Sequence, residues 1–154
     1  MPEIGCGAGM ADLAWVTVLS ERDLRLVRRA TELAESLGDS DDHSVAAAGY
    51  DDSGEIVTGV NVFHFTGGPC AELVLLGRAA ERRVPVRLEA IVAVGTPSLA
   101  VFPPCGRCRQ VLFDYYPDTR VVVHGKDGLQ AVPVRELLPF AYDWRAPDRG
   151  AGGP

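Results

Sequence analysis

Two short segments constrain this chain more than any other feature: Pro69-Cys70-Ala71-Glu72 and Pro104-Cys105-Gly106-Arg107-Cys108. Each sets a cysteine directly after a proline, where helical composition begins. A helix N-terminus presents unpaired N–H groups and the positive end of its dipole, which together lower a thiol pKa and favour thiolate. Cys105 and Cys108 stand one turn apart, so both sulfurs fall on the same side of a helix. Cys70, Cys105 and Cys108 then make three corners of a tetrahedron for Zn²⁺, with the fourth left open as a catalytic zinc requires. Any fold that meets this condition brings two helix starts, distant in sequence, to one point.

The rest of the pattern supplies such a fold. Ser20 and Asp23 form a capping-box signature. Behind it Leu24, Val27, Ala30, Leu33, Ala34 and Leu37 recur at helical spacing until Gly38. Ser44–Tyr50 and Glu55–Phe63 flank Asp51-Asp52-Ser53-Gly54 and read as a hairpin. A helix is predicted over Cys70–Arg83, with Gly67-Gly68-Pro69 as its breaker, and a buried strand over Glu89–Val94, bounded by Gly95. Cys105–Tyr116 reads as a helix stopped at Pro117, Arg120–His124 as a strand, and Val134–Leu138 as a short closing helix. Strands followed by helices need crossovers, so the expected class is α/β: a three-layer α/β/α domain around a mixed sheet. Residues 20–144 are taken as that domain, 1–19 as a flexible lead-in in which Met10 is an alternative start, and 145–154 as a disordered tail.

Charge narrows the partners. With 15 Lys and Arg against 21 Asp and Glu, the net charge is −6, and no basic cluster interleaved with aromatics appears. A polymeric nucleic-acid partner is not expected. No apolar run reaches the roughly 18–20 residues that span a bilayer, and the apolar patch near the N-terminus has no Lys or Arg before it, so it lacks a signal-peptide n-region. The expectation is a cytoplasmic protein that acts on a small molecule. In a reducing compartment its four cysteines point to metal or catalysis before disulfides.

Glu72 completes the chemistry. Zinc deaminases of nucleobases pair their metal ligands with a nearby glutamate that is not itself a ligand. A water at the open zinc position would lose its proton to Glu72 and attack C4 of cytosine as hydroxide. The same carboxylate would protonate the ring nitrogen and assist the departure of ammonia. Three thiolates leave such a site negatively charged, to be opposed by the helix dipoles and a guanidinium, Arg107 or Arg109.

C-A-E followed by P-C-G-x-C-R-Q resembles the cytidine deaminase superfamily in its three-cysteine form. The stretch TGVNVFHFTGGPCAELVLLG (Thr58 to Gly77), with PCGRCRQVL (Pro104 to Leu112) and RELLP (Arg135 to Pro139), resembles its blasticidin-S deaminase branch in particular. The likeness runs from about Ser44 to Trp144. It implies zinc as cofactor and hydrolytic deamination of a cytosine-bearing nucleoside or related aminated heterocycle. It also implies a homotetramer with active sites near subunit contacts, and a backbone around Ala71 that binds the pyrimidine edge. Ser44 and Tyr142 match branch residues expected near the substrate.

The departures concern the substrate. Ordinary cytidine deaminases follow the asparagine at the Asn61 position with valine and a glutamate, and the polar pair grips the ribose 3′-hydroxyl; here Phe63 replaces that glutamate. A hydroxyl left without its partner costs about 1–3 kcal/mol. Leu99 aligns with a branch arginine that would meet a substrate carboxylate, and Leu73 follows Glu72 where ordinary members often carry arginine. The expected substrate contacts are therefore Ser44, Asn61, Phe63, Ala71 and Tyr142. A conventional cytidine or deoxycytidine deaminase of pyrimidine salvage is the alternative. Blander readings also stand: a Cys105/Cys108 redox pair, which needs neither Cys70 nor Glu72, or a structural four-ligand zinc that recruits Cys6. Phe63 and Phe65 as core residues, His64 and His124 as bystanders, and Tyr142 and Trp144 as caps of the domain edge complete them.

Overall fold

The computed structural model describes residues 17–82 and 84–145. The elements run α1 (Glu21–Leu37), β1 (Val45–Asp51), β2 (Ile56–Val60), α2 (Ala71–Arg82), β3 (Leu88–Gly95), β4 (Ala100–Phe102), α3 (Gly106–Tyr115), β5 (Arg120–Gly125) and β6 (Gly128–Pro133), then a 3₁₀ turn at Val134–Leu137. The lead-in up to residue 16, with Cys6 and Met10, lies outside the described residues, as do Arg83 and the tail from residue 146. Thr17 is tied down, bridging Ala131 of β6.

Local chemistry opens α1 as expected. The Ser20 side chain accepts from the Asp23 N–H while the Asp23 carboxylate accepts from the Ser20 N–H, and Gly38 ends the helix at φ 62°. The buried stripe is Asp23, Leu26, Ala30 and Ala34. It is centred on Leu26 rather than on Leu24, because Asp23 turns inward to meet Arg120 of β5 at 3.0 Å. Burial pushes the Asp23 carboxyl up, but the Arg120 guanidinium and the Ser20 donors outweigh it and hold the group below the usual carboxylate range.

The sheet runs β2-β1-β3-β5-β6. β1 pairs antiparallel with both β2 and β3, β3 with β5 is the parallel step, and β5–β6 closes as an antiparallel hairpin. The short β4 pairs with β3 from Ala93 to Gly95, above the stretch that β5 occupies at Ala90 and Ile91. Period-two alternation then sorts the core into two layers. Ala46, Ala48, Tyr50, Val92, Val94 and Val122 meet Leu26, Ala30 and Ala34 of α1. Ala47, Val57, Ile91, Ala93, Val121 and Val123 meet Leu75 of α2 and Leu112 of α3 on the opposite face. Burying each of Leu26, Leu75 and Leu112 contributes about 1.5–3 kcal/mol. The result is the expected α/β/α arrangement, with α2 and α3 on the same face of the sheet.

Three details differ from the sequence expectation. β2 stops at Val60, short of Phe63: the Asn61 N–H still donates to the Val45 carbonyl, but the next N–H, of Val62, turns to the Pro69 carbonyl instead. Neither β4 nor β6 is marked by its sequence. The closing helix is a single 3₁₀ turn that ends at Leu137.

Candidate metal and catalytic site

Close backbone approach seats the first of the two helix starts. A Cβ on Gly59 of β2 would lie 2.4 Å from the Leu75 nitrogen and 2.5 Å from the Ala71 carbonyl oxygen. Only glycine lets the first turn of α2 rest directly on the sheet. Between them, Asn61 Oδ1 accepts from the N–H groups of Ser44 and Val45 at 2.8 Å each. The Val62 N–H donates to the Pro69 carbonyl at 3.1 Å, and a Cβ on Gly68 would stand 1.6 Å from the Val62 oxygen. The loop therefore folds back and delivers Cys70 to the head of α2. Cys105 caps α3, and Arg109 anchors that helix by donating to the carbonyls of Pro104 at 2.8 Å and Leu137 at 3.1 Å.

The Sγ atoms of Cys70, Cys105 and Cys108 all lie within 4.8 Å of one another, and Cys70 and Cys105 are 3.5 Å apart. Tetrahedral zinc–thiolate bonds of about 2.3 Å set sulfurs about 3.8 Å apart, so the donor set fits zinc. Burial is graded from the fully buried Cys108 through Cys70 to the exposed Cys105, which leaves the site open on one side. Burial pushes the Cys108 thiol up, and the charge of Glu72 pushes it further. Burial raises Cys105 too, but the N–H groups of Cys108 and Arg107 and the neighbouring thiols reverse that and bring it below its ordinary value. Of the two guanidiniums expected to offset the thiolates, Arg107 does so. Its Nη2 reaches Cys70 Sγ at 3.5 Å and donates to the Gly68 carbonyl at 2.6 Å, while Arg109 is committed to carbonyls.

A cavity of about 250 Å³ opens beside the thiols and brings together Cys70, Ala71, Glu72, Cys105, Asn61 and Phe63. Glu72 is only 6% exposed. Val45, Ala93, Phe102 and Pro103 also line the cavity, and the sequence reading did not include them. Nothing local marks them, because their place depends on strand pairing.

Other expected residues fall elsewhere. Ser44 is not in the lining; its N–H orients Asn61. Tyr142 is also outside it, exposed, with its carbonyl accepting from Gln110 at 2.8 Å. Phe63 and Phe65 are exposed, not core. His64 sits in an exposed turn with Nδ1 at 2.6 Å from Thr66 Oγ1, and His124 is exposed with Nδ1 on the Gly125 carbonyl; neither joins the sulfurs. Leu99, with φ 52°, packs with the cluster under α1 and not into the cavity.

Comparison with known proteins agrees with this geometry. The pattern of the cytidine and deoxycytidylate deaminase zinc-binding region matches residues 20–124. The chain is 34% identical over 133 residues to blasticidin-S deaminase of Bacillus cereus, covering 80% of this chain and 94% of that protein. It is 37% identical over 94 residues to a cytidine deaminase of Halalkalibacterium halodurans, covering 58% of this chain and 69% of that one. Among solved structures, the cytidine deaminase of Mycobacterium tuberculosis superposes with a TM-score of 0.63 at 29% identity, over 77% of this chain and 95% of that one.

Proposed function

The chain belongs to the cytidine and deoxycytidylate deaminase family, and from that premise we propose that it hydrolytically deaminates a cytosine-bearing nucleoside or a related aminated heterocycle, in the manner of blasticidin-S deaminase. The observation that carries this reading is a buried carboxylate, Glu72, lining the same cavity as the converging thiols. Cys70, Cys105 and Cys108 hold the zinc, which when bound supplies the Lewis acidity that makes water nucleophilic near neutral pH.

The reaction forms a C4–O bond and breaks the C4–N bond of the amine. Glu72 takes one proton from water and passes it to the ring nitrogen, then moves the second to the departing ammonia. Ala71, at the head of α2, offers an N–H with no intrahelical acceptor to the edge of the base. Asn61 keeps Nδ2 as a donor toward the substrate, since its Oδ1 is held by Ser44 and Val45, so Ser44 acts by fixing Asn61. Phe63 offers the substrate an apolar contact. No Lys, Arg or His lines the cavity among the described residues, which favours a base or nucleoside over a phosphorylated nucleotide.

The deaminase domain is residues 20–144, and the protein works in the cytoplasm, where thiolate ligands persist in reduced form. Among the described residues no helix is long and apolar enough to cross a membrane. The assembly is a homotetramer, in which the exposed Tyr142 meets the substrate of a neighbouring copy.

An ammonia-release panel of cytosine, cytidine, deoxycytidine, its monophosphate and blasticidin S tests the reading on zinc-loaded wild type, Glu72→Gln and Phe63→Glu. Glu72→Gln should keep zinc and fold while losing about 10²–10⁴-fold in rate. Phe63→Glu should improve cytidine selectively. Silence from wild type across the panel, or a Glu72→Gln rate close to wild type, overturns the assignment. A wild-type preference for cytidine over all others, with no gain from Phe63→Glu, identifies a conventional salvage deaminase instead.

A further inference from the structure

Phe102 is a large cavity-lining residue that no chemical step above uses. It stands on β4 opposite Ala93 of β3, and both residues line the cavity. The ring does not rise straight over Ala93 but leans along β3 until it covers Gly95. A Cβ added at Gly95 would lie 2.0 Å from one ring carbon of Phe102 and 2.6 Å from the next. On its other side Gly95 pairs with Val45 of β1, which also lines the cavity. Bare backbone at Gly95 thus gives the ring a bed level with the sheet, flanked by Val45 and Ala93. Phe102 nevertheless remains 40% exposed, and no aromatic ring among the described residues stacks on it. A phenyl group that served only to fill the core would have both faces covered. This one has its bed on one side and the cavity holding Cys70, Glu72 and Cys105 on the other.

Building on the deaminase reading, we propose that Phe102 is a substrate-binding residue, the face on which the flat heterocycle stacks. Every aminated pyrimidine has a π-face, so stacking is indifferent to what the ring nitrogen carries. The affinity it confers is shared by free base and nucleoside alike. Phe63, by contrast, governs the sugar. Together they make this a site that grips the base first and tolerates variety in its substituent.

The test uses zinc-loaded protein with cytosine, cytidine and deoxycytidine, and the variants Phe102→Leu, Phe102→Tyr, Gly95→Ala and the Phe102→Leu/Gly95→Ala double. Phe102→Leu should raise KM about tenfold for all three substrates with kcat within about twofold, the sign of lost uniform binding. Phe102→Tyr keeps the ring and should keep KM. Gly95→Ala displaces the ring without touching a polar group, so it should raise KM similarly, and the double variant should be no worse than the worse single, as for two changes acting on one contact. Zinc content and thermal melting identify any variant that has lost its fold. Calorimetric titration of cytidine into Glu72→Gln, with and without Phe102→Leu, reads the same loss in Kd without turnover. Wild type that binds cytidine yet releases no ammonia sinks the deaminase reading alone. Unchanged KM and Kd in folded, zinc-loaded Phe102→Leu, a loss confined to the nucleosides, or wild type that binds none of the three overturns the stacking role.

Discussion

At Cys108 the surroundings oppose the ligand role proposed for it. Burial and the Glu72 carboxylate hold its proton on, whereas a zinc ligand must be thiolate. The metal itself reverses that balance, so protons and zinc compete most directly at this sulfur. Falling pH favours the protonated thiol and therefore metal release. Cys108→Ser should leave far less than one zinc per chain by elemental analysis, and wild type should lose zinc progressively on acidification. Full occupancy in the variant would remove Cys108 from the ligand set. The convergence of the three thiols was legible in the sequence because a metal site demands specific residue types at specific spacings, and few other residues can substitute. Phe102 was not legible, since its role exists only because Gly95, on another strand, lacks a side chain. Leu99 is the other case: leucine at the position of a branch arginine offers nothing to a substrate carboxylate, and in the fold it packs with the cluster under α1.

Among the elements, α2 carries the most consequence for its length. Its first turn bears Ala71 and Glu72 directly behind Cys70, and it rests on the backbone of β2 at Gly59. A methyl group there meets main-chain atoms that no rotamer change can move. Gly59→Ala should destabilise the fold by about 1–3 kcal/mol in urea unfolding, with zinc content and kcat falling together as the turn shifts. Gly77, in the same helix, has open space around its added Cβ. Gly77→Ala is the matched control and should be neutral or stabilising by up to about 1 kcal/mol. Equal effects of the two would show that the seat on β2 does not matter. Elements written in local chemistry were readable from sequence: the Ser20–Asp23 box, the Asp51–Gly54 turn and the apolar run of β3. The short β4, and β6 with its Gly128 start and Pro133 end, carry no such signal and exist through their partners. The end of β2 is hidden for the same reason, because the Val62 N–H finds its acceptor at Pro69, seven residues on, rather than on β1.

On the scale of the whole molecule, Phe63, Phe65, Phe140, Tyr142 and Trp144 all remain exposed on the isolated chain. We propose that these rings pack against neighbouring copies of the chain. Light scattering should give a mass near four chains, and a monomer that is active at micromolar concentration would overturn the proposed tetramer. Cys70 and Cys105 are 35 positions apart with their sulfurs at 3.5 Å, and the segment between them contains α2, β3 and β4. In polymer terms a shared metal there is a cross-link that closes a loop running through the centre of the sheet, and opening it returns configurational freedom to that whole segment. Folding and metal loading are then one equilibrium. Each tenfold change in free zinc above its dissociation constant moves the stability of the fold by about 1.4 kcal/mol, so the lifetime of this enzyme in a cell is set partly by the metal supply around it.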